Sequence, residues 1–233
     1  LSTTASWTTS GTQAEEQYGF TAATAGDVNG DGYSDIAIGA PEYDNVHTSG
    51  GKVYVYYGSA TGPSATPIWT KEETGISTVG ERFGYSVATA GDVNGDGYSD
   101  LIVGALTYTT NISLTWSQGK AFVYHGSASG LSASANWSAT VTVTNAWFGA
   151  SVSSAGDVNG DGYSDVVIGC PFWTQYPGST EGKAFVYHGS SSGLSSSANW
   201  SSNVGEPYNQ QYASDVALAG DVNGDGYSDI LIG

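Results

Sequence analysis

The chain has 233 residues, with no methionine, one cysteine, six prolines and only five lysines plus arginines. Each scarcity removes a class of protein. A single cysteine, Cys170, cannot form an internal disulfide, and it stands where related segments carry Ala40 and Ala105, so it reads as a small buried residue. The five cationic side chains (Lys52, Lys71, Arg82, Lys120 and Lys183) are scattered singly, against 22 acids. That leaves no basic footprint for nucleic acid or anionic lipid. No apolar run approaches the ~20 residues of a membrane-spanning helix, so no membrane insertion is expected. The opening LSTTASWTTS lacks a charged segment followed by an apolar one, and the chain is therefore expected to be mature or excised from something longer. With 34 glycines and little that favours helix, the expected class is all-β.

What the sequence has in abundance is one stretch, AGDVNGDGYSD, which occurs four times. Its copies carry Asp27, Asn29, Asp31 and Asp35; Asp92, Asn94, Asp96 and Asp100; Asp157, Asn159, Asp161 and Asp165; and Asp221, Asn223, Asp225 and Asp229. Oxygen donors at positions 1, 3 and 5, glycine at position 6 and a carboxylate at position 9 suit a hard cation of flexible coordination such as Ca²⁺. Position 7 (Tyr33, Tyr98, Tyr163 and Tyr227) would add a backbone carbonyl. Three carboxylates in one short loop repel each other by roughly 1 kcal/mol per pair at ~4 Å even in water, which an ordinary Asx-rich turn leaves unexplained. Twelve of the 22 acids sit in these loops, and the eight positive charges of four Ca²⁺ would bring the formal net charge from −17 to −9. An EF-hand is excluded, because position 12 is Ile38, Val103, Ile168 or Ile232 rather than glutamate.

The first loop aspartates are spaced by 65, 65 and 64 residues, a period long enough for several strands per unit and characteristic of a propeller. The units run roughly over 1–61, 62–130, 131–193 and 194–233 within a single domain. Each reads as four strands. The first opens on an aromatic and a small residue: Tyr18-Gly19, Phe83-Gly84, Phe148-Gly149 and Tyr212-Ala213. The second follows the acidic loop as a short β-branched run (IAIGA, LIVGA, VVIGC, ILIG). The third is KVYVYYGS or KAFVYHGS. The fourth carries Trp69, Trp137 or Trp200, with Trp7 in a leading copy. His125 and His188 share a slot with Tyr57 and read as packing or solvent-facing; Trp137 and Trp200 read as cover for the sheet edge.

Taken together, the Phe-Gly pair, the D-x-N-x-D-G-Y-x-D loop and Gly39-Ala40-Pro41 resemble the FG-GAP repeats of the integrin α-subunit β-propeller and its bacterial relatives. The resemblance covers essentially the whole chain. It implies four-stranded antiparallel blades, with the metal loop joining the first and second strands on the lower face. All four loops match the family's ligand pattern, with Asn at position 3 where Asp is frequent. It also implies that ligands meet the opposite face. Departures are Tyr-Gly in the first copy, Gly104-Ala105-Leu106 in the second, Gly169-Cys170-Pro171 in the third and Tyr212-Ala213 in the fourth.

The opposite-face connections, Pro41 to Gly50, Leu106 to Gln118 and Pro171 to Glu181, are where the repeats diverge most. Variable loops on a constant scaffold are where binding usually resides. Their aromatics, Tyr43, Tyr108, Trp116, Phe172, Trp173 and Tyr176, are candidates for a surface that recognises protein or glycan, with folding back on their own loops as the plain alternative. The expected function is a Ca²⁺-dependent extracellular adhesion or ligand-binding module. A lectin-like propeller is the alternative, and a hydrolase a more distant one: the carboxylates are committed to metal, and Glu15-Glu16 and Glu72-Glu73 lie in polar connecting segments. Counting the strand near Trp7, the units sum to about four blades, one strand short. That count carries the expectation that two chains complete one ring, the segment near Trp7 of one lying beside Asp229 to Gly233 of the other.

Overall fold

The structure is a computed structural model that describes residues 3–75, 80–110, 117–174, 181–203 and 211–233. Fourteen strands and no helix occur among them. They form three four-stranded sheets and one two-stranded sheet, each an antiparallel meander in chain order. The first sheet contains β1 (Thr21–Gly26), β2 (Asp35–Ala40), β3 (Lys52–Tyr56) and β4 (Trp69–Lys71). The second contains β5 (Phe83–Gly91), β6 (Asp100–Ala105), β7 (Lys120–Tyr124) and β8 (Trp137–Thr140). The third contains β9 (Val152–Gly156), β10 (Asp165–Cys170), β11 (Lys183–Tyr187) and β12 (Trp200–Ser202), and the fourth β13 (Val216–Gly220) and β14 (Asp229–Ile232). Innermost strands pack in series, β1 on β5, β5 on β9 and β9 on β13. This is the blade arrangement of a β-propeller.

Core clusters lie between neighbouring sheets. One joins Ala37, Val53 and Val55 of the first sheet to Phe83, Leu101, Val103 and Tyr124 of the second, and the next joins Ile102 and Val123 to Phe148, Val166 and Ile168. Second strands that lie between two sheets are therefore covered on both faces, and β6 and β10 are buried at every residue. That double cover explains why LIVGA and VVIGC read as continuous apolar runs, since each side of the pleat meets another sheet.

The aromatic-small pair turns out to be the joint between blades rather than the start of a strand. Only β5 begins at its aromatic; β1, β9 and β13 begin three or four residues after theirs. The small residue is in the left-handed region in all four copies (Gly19 φ 83°, Gly84 83°, Gly149 86°, Ala213 65°), which interrupts an extended strand. The aromatic instead bridges in parallel to the preceding sheet, as Gly51–Phe83, Gly119–Phe148 and Gly182–Tyr212. Phe83 N–H donates to Gly50 O and Phe148 N–H to Gln118 O, each at 3.0 Å. Both rings are fully buried.

The tryptophans are joints as well. Trp7, Trp69 and Trp137 each donate Nε1–H to a carbonyl of the next blade (Ser64, Ser132 and Ser195, at 3.2, 3.2 and 2.9 Å). Each ring also sits edge-on to the next blade's tyrosine, Tyr56, Tyr124 or Tyr187, at 4.9–5.1 Å. Covering a free sheet edge, as expected for Trp137, is thus corrected to bonding one blade to the next. The expected strand around Trp7 is also absent: that segment keeps the tryptophan contact without strand geometry, having no described third strand beside it to pair with.

Candidate functional site

Each acidic loop joins the first and second strands of its blade, as between β1 and β2. The glycines at positions 4 and 6 take positive φ (Gly30 73°, Gly32 87°), and a side chain at Gly32 would meet nothing within 4 Å. The loop is consequently folded tightly around its first aspartate. Asp27 Oδ1 accepts the N–H of Gly30 and Asp31 at 2.7 and 3.1 Å, and its Oδ2 that of Gly32 at 2.8 Å. Asn29 Oδ1 accepts from Asp31 N, and Asp31 Oδ1 from Tyr33 N. The same bonds recur in the other three copies.

The ninth-position aspartate behaves differently. Asp35, Asp100 and Asp165 are fully buried. Asp100 Oδ2 accepts Val93 N–H and its Oδ1 accepts Gly126 N–H, both at 2.9 Å, which ties the loop to the turn after the third strand. Burial pushes the Asp100 carboxyl up to about 7, against the lowering pull of the Gly126 and Val93 N–H groups, and the charges of Asp96 and Asp92 raise it further. Asp35 and Asp165 are raised for the same leading reason. Desolvation plus like charge is what a bound cation would offset.

Among the described residues, no three acidic, histidine or cysteine side chains already converge as a metal cluster. The donor set nevertheless fits a hard cation. Each loop offers three carboxylates and one amide oxygen within nine residues, no soft or nitrogen donor, and a glycine-lined cradle. Asp27, Asn29, Asp31 and Asp35 would hold the ion in the first loop, with the Tyr33 carbonyl. The equivalents are Asp92, Asn94, Asp96, Tyr98 and Asp100; Asp157, Asn159, Asp161, Tyr163 and Asp165; and Asp221, Asn223, Asp225, Tyr227 and Asp229.

On the opposite face, three of the candidate aromatics occupy one repeated place, three residues past Ala40, Ala105 and Cys170. Tyr43, Tyr108 and Trp173 are half-buried, and a lysine from the start of the third strand lies over each ring: Lys52 at 4.4 Å, Lys120 at 4.8 Å and Lys183 at 4.5 Å. Phe172 packs edge-on to Trp147 at 4.3 Å. The first three rings are thus held over the third strands of their own blades, and Phe172 against the connection between β8 and β9. Trp116 and Tyr176 lie outside the described residues.

Two acids have roles that polar connecting segments do not convey. Glu16 and Glu81 are buried, and each precedes its blade's aromatic by two residues, the one positional sign of a shared role. Glu16 accepts from Tyr54 OH at 3.0 Å, from Gln13 N–H at 2.9 Å and from Thr12 N–H. Glu81 accepts from Gly75 N–H at 2.9 Å and pairs with His47 Nδ1 at 3.1 Å. Glu73 accepts from Tyr124 OH at 2.7 Å, and Glu72 pairs with Lys52 at 2.8 Å. Cys170 is buried, and its thiol donates to Ala146 O. No described helix could cross a membrane.

Four-stranded meanders joined at Phe-Gly pairs, each with an acidic loop between its inner strands, define a β-propeller of integrin α type. Comparison with known proteins agrees. The FG-GAP repeat family matches residues 19–56, 83–124 and 148–187, and the chain belongs to that family. It is 32% identical over 234 residues to integrin alpha pat-2 of Caenorhabditis briggsae, which covers 94% of this chain and 18% of that protein. It is 36% identical over 145 residues to human integrin alpha-6 (61% of this chain, 12% of that protein). It is also 40% identical over 181 residues to the phosphatidylinositol-glycan-specific phospholipase D of Bos taurus (73% and 20%). The chain thus spans about a fifth or less of these relatives' lengths.

Proposed function

We propose that this chain is a Ca²⁺-binding propeller module of an extracellular or cell-surface protein. Its acidic loops stabilise the blades, and its opposite face binds a protein ligand in adhesion. The observation that carries the calcium reading is the fourfold recurrence of one oxygen-only loop, with buried Asp35, Asp100 and Asp165 carboxylates, each of which feels the charge of at least one other aspartate of its own loop. Likeness to proteins named integrin alpha supports the adhesion reading. Calorimetric titration of the EDTA-stripped chain should return four Ca²⁺ equivalents, and a flat titration would reject the calcium reading.

A glycan ligand is the second reading, favoured by one slot of about 320 Å³ beside the Trp7 segment, where Thr9, Thr12, Tyr54 and Tyr56 contribute hydroxyls. A glycan array with and without EDTA separates it from a protein ligand. The fourth sheet exposes apolar side chains at Leu218, Val222 and Leu231. A second copy completing the ring would cover them, and light scattering in millimolar Ca²⁺ should then report twice the chain mass.

A further inference from the structure

We propose that His125 is a positioning residue for the second acidic loop, holding the Asn94 side-chain amide so that its oxygen stays directed into the loop. This rests on the calcium reading and names a residue outside the repeated motif. Asn94 Nδ2 donates one hydrogen to Asp96 Oδ2 at 2.9 Å and the other to His125 Nδ1 at 3.1 Å. The amide cannot be turned over: its oxygen would then face the Asp96 carboxylate, which has no proton to give, and would lose the Asp96 N–H that Oδ1 accepts at 3.0 Å. With Nδ1 accepting, the imidazole carries its proton on Nε2.

The main chain that carries the ring is fixed: the His125 backbone N–H donates to Asn136 Oδ1 at 2.9 Å, a bond that His188 repeats with Asn199. Nε2 is buried without a partner, 3.4 Å from where a side chain at Gly193 of the third sheet would begin. Gly193 has φ +90°, so that close approach suits its backbone. The imidazole therefore wedges the third blade's turn against the second blade's loop, and Asn94 receives its orientation from outside its own segment.

Neighbouring copies lack this arrangement. In the first blade the slot holds Tyr57, whose hydroxyl lies against Gly130 of the second blade, while the Asn29 amide donates to Asp31. In the third blade His188 and Asn159 both line an open cavity of about 610 Å³. Among the described residues, Asn94 alone has an imidazole partner. Outer-shell groups that fix a ligand's orientation commonly set metal affinity by tenfold or more, so the second loop should bind its ion more tightly than the first or third.

The test is calcium calorimetry on the full chain, comparing the parent with His125→Leu, His125→Asn and His188→Leu, with melting in EDTA to report folding. Asparagine places an acceptor oxygen where Nδ1 lies; leucine does not. One equivalent should weaken about tenfold in His125→Leu, recover in His125→Asn and stay unchanged in His188→Leu. If the parent binds Ca²⁺ and His125→Leu leaves every equivalent unaltered, the inference is wrong. Equal weakening by leucine and asparagine, with equally lowered melting in EDTA, would assign His125 to packing only and also overturn it. A parent that binds no Ca²⁺ removes the calcium reading itself and this inference with it, a result distinct from the other two.

Discussion

Ser99 donates its backbone N–H to the carbonyl oxygen of Asp27 at 2.9 Å, and its Oγ accepts the Asp27 N–H at 3.2 Å. The eighth position of one acidic loop is thereby bonded to the first position of the loop before it. Ser164 N–H repeats the bond to Asp92 O and Ser228 N–H to Asp157 O, both at 2.9 Å. Each seventh-position tyrosine also lies against the preceding loop's first glycine, Tyr98 on Gly30 and Tyr163 on Gly95. The loops form a chain along one face, so their conformations are shared.

The double variant Asp92→Ala, Asp96→Ala should therefore remove one calcium equivalent and also weaken its neighbours. Hydrogen exchange should show the largest loss of protection over Gly91 to Asp100, a smaller one at Ser164, and the least at Ser228. Coupling free energies are reciprocal, so disabling the first loop should weaken the second by the same factor. Strictly local loss of protection, with three unaltered equivalents, would contradict the shared chain of bonds.

Calcium should raise thermal stability. Loops of this openness without a bidentate glutamate fall in the weak extracellular range, with Kd on the order of 10⁻⁴ to 10⁻³ M. At 10 mM Ca²⁺, binding to the native state alone contributes about 1.4–2.7 kcal/mol per site. Scanning calorimetry in EDTA and in 10 mM Ca²⁺ should show an upward shift of several degrees, and coincident traces would refute it.

Much of this architecture is legible in the sequence because the repeat is long and the second and third sheets bury their second strands on both faces, which leaves runs such as LIVGA. The acidic loops are legible because oxygen donors at fixed spacing have few other uses. The blade joints are hidden for a physical reason. Trp137 makes its hydrogen bond to the neighbouring blade, 58 residues along the chain, and Phe83, although it does open β5, also bridges back to Gly51 of the preceding sheet; no local pattern announces either partner. That the lysine opening each third strand lies over Tyr108 and Trp173 is likewise not legible, because ring and lysine are ten or more residues apart across a divergent loop. His125 looks like filler until Asn94, 31 residues earlier, is found against its ring.

Two glycine substitutions should separate close approach from backbone conformation. A side chain at Gly39 would begin 2.1 Å from Gly84 O, on the main chain of the next blade, so Gly39→Ala must push two sheets apart. Gly62 has φ +107° but nothing within 4 Å, so Gly62→Ala meets only the left-handed penalty of about 1–2 kcal/mol. Urea unfolding should show Gly39→Ala as much the more damaging; equal midpoints would mean that the joint is looser than its geometry indicates.

The tryptophans give the most direct test of where stability resides. Trp137 and Trp200 occupy the same repeat position with nearly the same flanking sequence, so intrinsic strand preference predicts equal effects of substitution. Their surroundings differ. Trp137 donates to Ser195 O and packs edge-on against Tyr187 at 4.9 Å, whereas Trp200 is 44% exposed. Removing a well-packed aromatic costs about 3–5 kcal/mol through lost burial and the cavity left behind. Trp137→Ala should approach that range, with the carbonyl of Ser195 losing its donor as well. Trp200→Ala should cost about 1 kcal/mol or less in the isolated chain, as surface substitutions do. If the fourth sheet's exposed face is covered in solution by a second copy, the Trp200→Ala loss should grow with protein concentration while the Trp137→Ala loss stays constant. Urea titrations of both variants at two concentrations tenfold apart therefore read the blade joint and the state of assembly together; equal losses at both concentrations would place the tryptophan's contribution within its own sheet.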